Sequence, residues 1–190
     1  MSTKTPPQSI IDTIEIENIV TASDLGRQID LSELSKDLDT SEFDEATFPG
    51  LIYKVDECDL TILLFRSGKL ICTGAGSVTA VENGIKAIED EFKSIGFPHE
   101  PINFDIQNVV GTAEIADKIN LNAAAIGLGL ETTEYEPEQF PGLIYRMNDI
   151  DIVSIIFASG KIVITSGETP DEIKTSVERV YNDIDELGLL

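Results

Sequence analysis

The sequence predicts an α+β protein built from two copies of one unit, each with several antiparallel strands and one long helix. Three observations lead there. "FPGLIY" stands at residues 48–53 and again at 140–145, so the chain contains an internal repeat. The segments after each copy are rich in β-branched residues and joined by short turns, which favours antiparallel pairing. Each half then closes on a one-faced helical pattern that can cover a sheet.

The repeat extends well beyond six residues. "IENIVTASDLGRQIDL" at 16–31 matches "IQNVVGTAEIADKINL" at 106–121 at an offset of 90. "FPGLIY" and "LLFRSGKLICTG" at 63–74, which pairs with "IIFASGKIVITS" at 155–166, keep an offset of 92. The second copy therefore carries two extra residues in between. Residues 1–9 read as a short floppy tail, 10–98 as the first repeat and 99–190 as the second. The prolines of "GFPHEPINF" (96–104) mark the join.

Within a repeat the plan runs strand, short helix, several strands, long helix. "TIEIENIVTA" has strand composition, and "DLSELSKDL" reads as a short helix capped by Asp30. "LIYKVD", "LTILLF" and "KLICTG" follow as strands, with a tight turn at "RSG" (66–68). Val81, Ile85, Ile88, Phe92 and Ile95 recur at spacings of 4, 3, 4 and 3, which places them on one helix face, and Gly96 ends the helix. In the second copy Thr169, Pro170 and Glu172 have the spacing of a capping box with proline at N1, and Gly188 is the stop.

Composition bounds the function. The formal charge is −22, from 35 acids against 13 bases, while 42% of residues are hydrophobic, so the chain can bury a core and is not disordered. Taken alone, that charge argues against nucleic acid. It suits a molecule in concentrated salt, which screens self-repulsion to about 3 Å at molar strength. The expected location is the cytoplasm of an extreme halophile. No apolar run of membrane-spanning length occurs, and "MSTKTPPQS" lacks the apolar region of a signal peptide. Cys58, Cys72 and the single His99 have no metal-ligand spacing, so no metal and no cofactor is expected.

The strands carry the functional signal. A half-covered sheet alternates apolar and polar residues, yet "LTILLF" (60–65) and "IVSIIF" (152–157) are apolar on both parities. One parity can pack on the helices, which leaves the other as an apolar surface dressed with Lys, Thr and Asn, a pattern that marks a partner surface. Residues 60–81 contain no Asp or Glu, and 152–167 carry Lys161 as their sole charge. Phe48 and Phe140 open the "FPGLIY" bends, while Phe65 and Phe157 end strands before turns. Such paired aromatics can act as wedges. A core role is the plainer explanation for Phe65 and Phe157, a bulge for Asn18 and Asn108, and plain solvation for Lys69 and Lys161.

Paired "IENIV"/"IQNVV", paired "FPGLIY", "F-x-SGK-x-x-x-T" twice, and "YEPEQFPGLIYRM" together resemble the TATA-box-binding protein family in its archaeal form, over about residues 14–187. The resemblance implies a two-repeat saddle: a continuous curved antiparallel sheet of about ten strands, with helices on the convex face and double-stranded DNA held by its widened minor groove beneath. By position, it makes Phe48, Phe65, Phe140 and Phe157 the intercalating side chains. It makes Asn18 and Asn108 the central pair on minor-groove acceptors. Val20, Val110, Ile71 and Val163 become the groove-floor contacts, Thr73 and Thr165 the base-edge contacts, and Lys54, Arg146, Lys69 and Lys161 the phosphate contacts. Glu136 and Glu138 fall on the loop that meets transcription factor B, through which RNA polymerase is recruited indirectly. The implied function is a general transcription factor that bends an A·T-rich box and nucleates the preinitiation complex. A homodimer of the free protein through the apolar face stays open.

The chemistry fits those roles. A·T pairs present only N3 and O2 acceptors in the minor groove, which a short amide donor can read, and aliphatic side chains lie flush where guanine's amino group is absent. Burying four phenylalanines offers roughly 6–12 kcal/mol. Unstacking costs on the order of a few kcal/mol per step and smooth bending about 1–6 kcal/mol.

Two departures from the family stand out: Gly76 and Glu168 replace a frequent lysine, and Asp59 and Asp151 stand where eukaryotic relatives usually have arginine. Fewer bases should flatten or reverse the usual loss of affinity with salt. An enzyme is not expected. "TGAGSVTA" (73–80) imitates a glycine-rich phosphate loop, but its third glycine position is Thr79 and the other copy reads "TSGETP". The competing class is a protein-interaction module whose apolar face docks a partner chain and ignores A·T content.

Overall fold

The computed structural model describes residues 5–147 and 151–190. The described elements are α1 (Gln8–Ile11), β1 (Glu15–Asp24), α2 (Leu31–Asp37), β2 (Ser41–Glu42), β3 (Gly50–Val55), β4 (Leu60–Phe65), β5 (Lys69–Ala75) and α3 (Val78–Ser94), followed by β6 (Asp105–Glu114), α4 (Leu121–Leu128), β7 (Thr133–Glu134), β8 (Gly142–Arg146), β9 (Val153–Phe157), β10 (Lys161–Gly167) and α5 (Pro170–Glu186). The ten strands are hydrogen-bonded in the order β2-β3-β4-β5-β1-β6-β10-β9-β8-β7, so the second half of the list mirrors the first, as a duplicated unit requires. The architecture is the expected α+β, two-repeat one.

Two compact units result: residues 18–107, and residues 108–190 with the segment up to Glu17. In the second unit Thr13 Oγ1 accepts a hydrogen bond from Glu114 N at 3.0 Å, and Thr112 Oγ1 donates to Glu17 at 2.9 Å. Residues 1–4 of the expected tail lie outside the described residues. Within the rest of that segment Pro6 is buried and α1 forms a single helical turn.

In the unit of residues 18–107, β3, β4 and β5 pair antiparallel with Ile52 opposite Leu63 and Leu63 opposite Ile71. Strand parity divides β4 cleanly. Leu60, Ile62 and Leu64 are buried, while Thr61, Leu63 and Phe65 stay half-exposed. The buried parity meets α3, whose Val81, Ile85, Ile88 and Phe92 are buried and which packs on β4 and β5. Asp30 caps α2 by accepting from the N–H groups of Ser32 and Glu33. Cys72 is fully buried on this side, and burial pushes its thiol up to about 11, so it stays neutral as a core side chain.

The other unit repeats the plan. Ser154 and Ile156 are buried and Val153, Ile155 and Phe157 half-exposed along β9, and α5 packs on the neighbouring β10. The capping pattern at α5 is present with one difference. Thr169 Oγ1 accepts from Glu172 N, but Glu172 reaches back to the N–H of Glu168, one residue before the cap. Its carboxylate thereby satisfies a donor just outside the helix rather than the cap's own.

Gly84, in the middle of α3, is the residue that helical propensity does not explain. A β-carbon there would collide with Cδ2 of buried Leu60. The glycine lets α3 close down on β4. Replacing Gly84 by Ala gains about 1 kcal/mol of helix propensity but forces an overpacked core costing about 1–3 kcal/mol. Thermal unfolding in molar KCl should find Gly84→Ala destabilised.

Candidate nucleic-acid interface

The strand parity that the helices do not cover gathers the residues the sequence singled out. In the unit of residues 18–107 it presents Asn18 and Val20 on β1, Lys54 on β3, Phe65 on β4, and Lys69, Ile71 and Thr73 on β5. Register makes these neighbours: Thr61 faces Thr73, Ile71 faces Ala22, and Lys54 faces Thr61. The other unit presents Asn108, Val110, Arg146, Phe157, Lys161, Val163 and Thr165 in matching places. Sequence reading did not single out Ile52, Leu63, Ile144 and Ile155, which lie half-exposed on the same faces. Their alternation with buried residues was the available signal.

The aromatic pairs are built alike. Phe48 and Phe65 lie edge to face with ring centres 5.9 Å apart and planes at 61°. Phe140 and Phe157 do so at 6.1 Å and 65°. Each loop ring is aimed by one helical turn, with Phe48 N donating to Asp44 O and Phe140 N to Glu136 O, both at 2.9 Å. Asp44 further binds Ala46 N and the Thr47 hydroxyl, and these hydrogen bonds, that of Thr47 first, hold its carboxyl below its usual value. The glycine after each Phe-Pro is required by space. A β-carbon at Gly50 would lie 2.7 Å from Phe48 Cε1 and 3.1 Å from Phe65 Cε1, and one at Gly142 would lie 2.7 Å from Phe140 Cε1 and 3.2 Å from Phe157 Cε1. Both rings of a pair thus close over a bare backbone.

The two asparagines are not simply strand residues. Asn18 Oδ1 accepts from Gly74 N at 2.7 Å and from the Thr73 hydroxyl at 3.2 Å. Asn108 Oδ1 accepts from Ser166 N at 2.9 Å. Both contacts fall where the ladder register shifts, and Gly74 and Ser166 have φ of +105° and +69°. The bulge therefore turns a backbone N–H to the side chain and fixes the amide's orientation. Each Nδ2, with two protons, is left for an outside acceptor. The bulge contact uses the Oδ1 end of each side chain.

The cations fall into two kinds. Lys54 pairs with Glu42 at 3.3 Å and Arg146 with Glu134 at 3.3 Å, the same cross-strand pair in each repeat. Among the described residues Lys69 and Lys161 have no ion pair. Glu136 and Glu138 are exposed in the loop before Phe140. Among the described residues no His, Cys, Asp and Glu group could hold a metal, and no helix is long and apolar enough to cross a membrane. If space alone keeps the glycines, Gly142→Ala should part the Phe140 and Phe157 rings. The contact between their ring protons in NMR spectra would weaken while the fold survives. An unchanged contact would mean the loop absorbs the extra carbon.

Comparison with known proteins agrees with this geometry. The pattern of the family described as "Transcription factor TFIID (or TATA-binding protein, TBP)" matches residues 13–95 and 103–187. TATA-box-binding protein B of Halobacterium salinarum is 46% identical over 185 residues, covering 96% of this chain and 98% of that relative. TATA-box-binding protein 2 of Haloferax volcanii is 46% identical over 181 residues, covering 94% and 97%. Among solved structures, Methanococcus jannaschii TBP superposes with a TM-score of 0.81 at 40% identity, covering 91% of this chain and 98% of that one. A duplicated α+β fold, paired aromatics over paired glycines, and haloarchaeal relatives of full length lead to one assignment: the chain belongs to the TATA-box-binding protein family.

Proposed function

We propose that this protein is a non-enzymatic general transcription factor that binds the minor groove of an A·T-rich promoter box and bends it. The observation that carries the reading is the pair of asparagines whose carbonyl oxygens are clamped by bulge N–H groups. An amide held that way can only donate outward, and the minor groove of A·T pairs offers only acceptors. Around each asparagine, Val20 and Ile71, or Val110 and Val163, give a flat aliphatic floor that the amino group of guanine would lift off. Thr73 and Thr165 stand beside them for base edges.

Phe48 and Phe65 in one repeat, and Phe140 and Phe157 in the other, serve as wedges. Their rings are already partly covered by each other, and Phe140, the most exposed, is only 40% accessible. Insertion therefore buries less new surface than four free rings would. Roughly 3–6 kcal/mol is the resulting gain, half the figure for full burial. That is comparable to the cost of bending, about 1–6 kcal/mol, so the aliphatic floor and the phosphate contacts of Lys69 and Lys161 must contribute too.

Lys54 and Arg146 reach phosphate only after leaving Glu42 and Glu134, and the freed carboxylates need a solvent cation in exchange. This supports a salt dependence that is flat or rising. Glu136 and Glu138, exposed on the Phe140 loop, serve as the contact for transcription factor B, through which RNA polymerase follows.

A gel-shift series in molar KCl tests the reading. A TATA-like duplex should bind at least tenfold more tightly than its G·C-substituted counterpart, since a mismatched base pair costs about 1–3 kcal/mol. Raising KCl should not produce the ordinary steep decline. Phe157→Ala should reduce the bend measured by end-to-end fluorescence transfer. Equal affinity for both duplexes would instead favour a face that docks a protein chain.

A further inference from the structure

We propose that Arg66 is a further DNA-contact residue, present in one repeat only, which leaves the Glu45 carboxylate for a backbone phosphate when the wedges insert. The proposal rests on the DNA-binding reading above. Arg66 directly follows Phe65 in the turn closed by the hydrogen bond from Gly68 N to Phe65 O, and its own carbonyl accepts from Ile29 N at 2.9 Å. Its backbone is thus fixed while its side chain is exposed. The guanidinium crosses to the loop that carries Phe48, where Nη2 lies 2.9 Å from Glu45 Oε2. It therefore joins the strand end that carries Phe65 to the loop that carries Phe48.

Three features favour exchange over a permanent clip. The side chains are 58% and 60% exposed, so the pair is solvated and contributes little. The planar fork of arginine fits phosphate as well as carboxylate. The other repeat manages without the pair. There Ile119 N donates to Ala158 O as Ile29 N does to Arg66 O, so Ala158 occupies the same backbone place, and Pro137 stands where the first repeat has Glu45. A brace needed to aim the aromatic pair would have to exist in both copies, yet the ring geometry is nearly the same with and without it. What differs is the charge offered beside the wedges.

Binding of a TATA-like duplex across a KCl series, with Arg66→Ala, Glu45→Gln and Ala158→Arg compared with the unaltered chain, decides the matter. Arg66→Ala copies what the other repeat already carries, so folding is preserved. It should weaken binding by about tenfold and shift the slope of log affinity against log salt upward by about one. Glu45→Gln should tighten binding, because it removes both the competitor and a charge facing phosphate. Ala158→Arg should also steepen the slope, and combined with Glu136→Gln and Glu138→Gln, which remove the acids flanking Pro137, it should tighten binding. Lys93→Ala, on α3, should leave affinity unchanged. The proposal is overturned if Glu45→Gln weakens binding as much as Arg66→Ala does, for the pair is then a clip. It is equally overturned if Arg66→Ala has no effect. Failure of the unaltered chain to prefer A·T over G·C duplex would instead remove the DNA-binding reading itself.

Discussion

Every feature of this molecule depends on strands that are apolar on both parities while helices cover only one. Burial of Leu60, Ile62 and Leu64 under α3 in one unit, and the packing of α5 on β10 in the other, secures the fold. The opposite parity is left with Leu63, Ile71, Ile155 and Val163 against solvent. A surface of that kind is retained at a cost in solubility. In a chain of charge −22 the cost is met by acids concentrated on helices and loops. The acids that do share that face stand against its bases: Asp24 lies opposite Lys69, Glu114 opposite Lys161, and Glu42 and Glu134 pair with Lys54 and Arg146.

The elements that aim the functional side chains are small and repeated. A single helical turn directs each loop phenylalanine, a glycine clears the space under each pair, and a bulge N–H orients each asparagine. The turn that directs each loop phenylalanine is local, whereas the asparagine contact spans two strands of the same unit. Each arrangement is complete within one repeat, so duplication copied it with ring separations that agree within a few tenths of an ångström. The second bulge even forces Ser166 to φ +69°, where the first uses glycine. Holding a serine in the left-handed region costs of order 1–3 kcal/mol, which the Asn108 contact and the β10 ladder offset.

The repeats diverge away from the shared face. Helix α2 carries Glu33, Lys36 and Asp37, whereas α4 has no charged residue. Ile126 and Leu130 are each 75% exposed at its end, near the two-residue insertion between Leu121 and Thr132. Charge next to the wedges diverges as well, with Arg66 and Glu45 in one copy and Ala158 and Pro137 in the other. The repeats thus keep the aromatic pairs and the asparagine contacts alike and differ in the charge beside them.

Sequence alone determined the duplication, the main strands and the long helix of each repeat, the caps at Asp30 and Thr169, and the two parities of the central strands, because all of these are local patterns of period two, period 3.6 or fixed offset; it did not show α1 or the two-residue strands β2 and β7. Period two likewise put Lys69, Ile71 and Thr73, and Lys161, Val163 and Thr165, on single strand faces, while the asparagines, the phenylalanines, Val20 and Val110 were placed by the family resemblance. Tertiary structure decided what those residues touch. That Asn18 is turned by Gly74, that Lys54 and Arg146 are held by Glu42 and Glu134, and that Arg66 reaches Glu45 are contacts between residues 12 to 56 positions apart. Such pairings follow from strand register and from a bulge. In an acidic chain every lysine has several carboxylates nearby in sequence, so only the fold selects which one it meets.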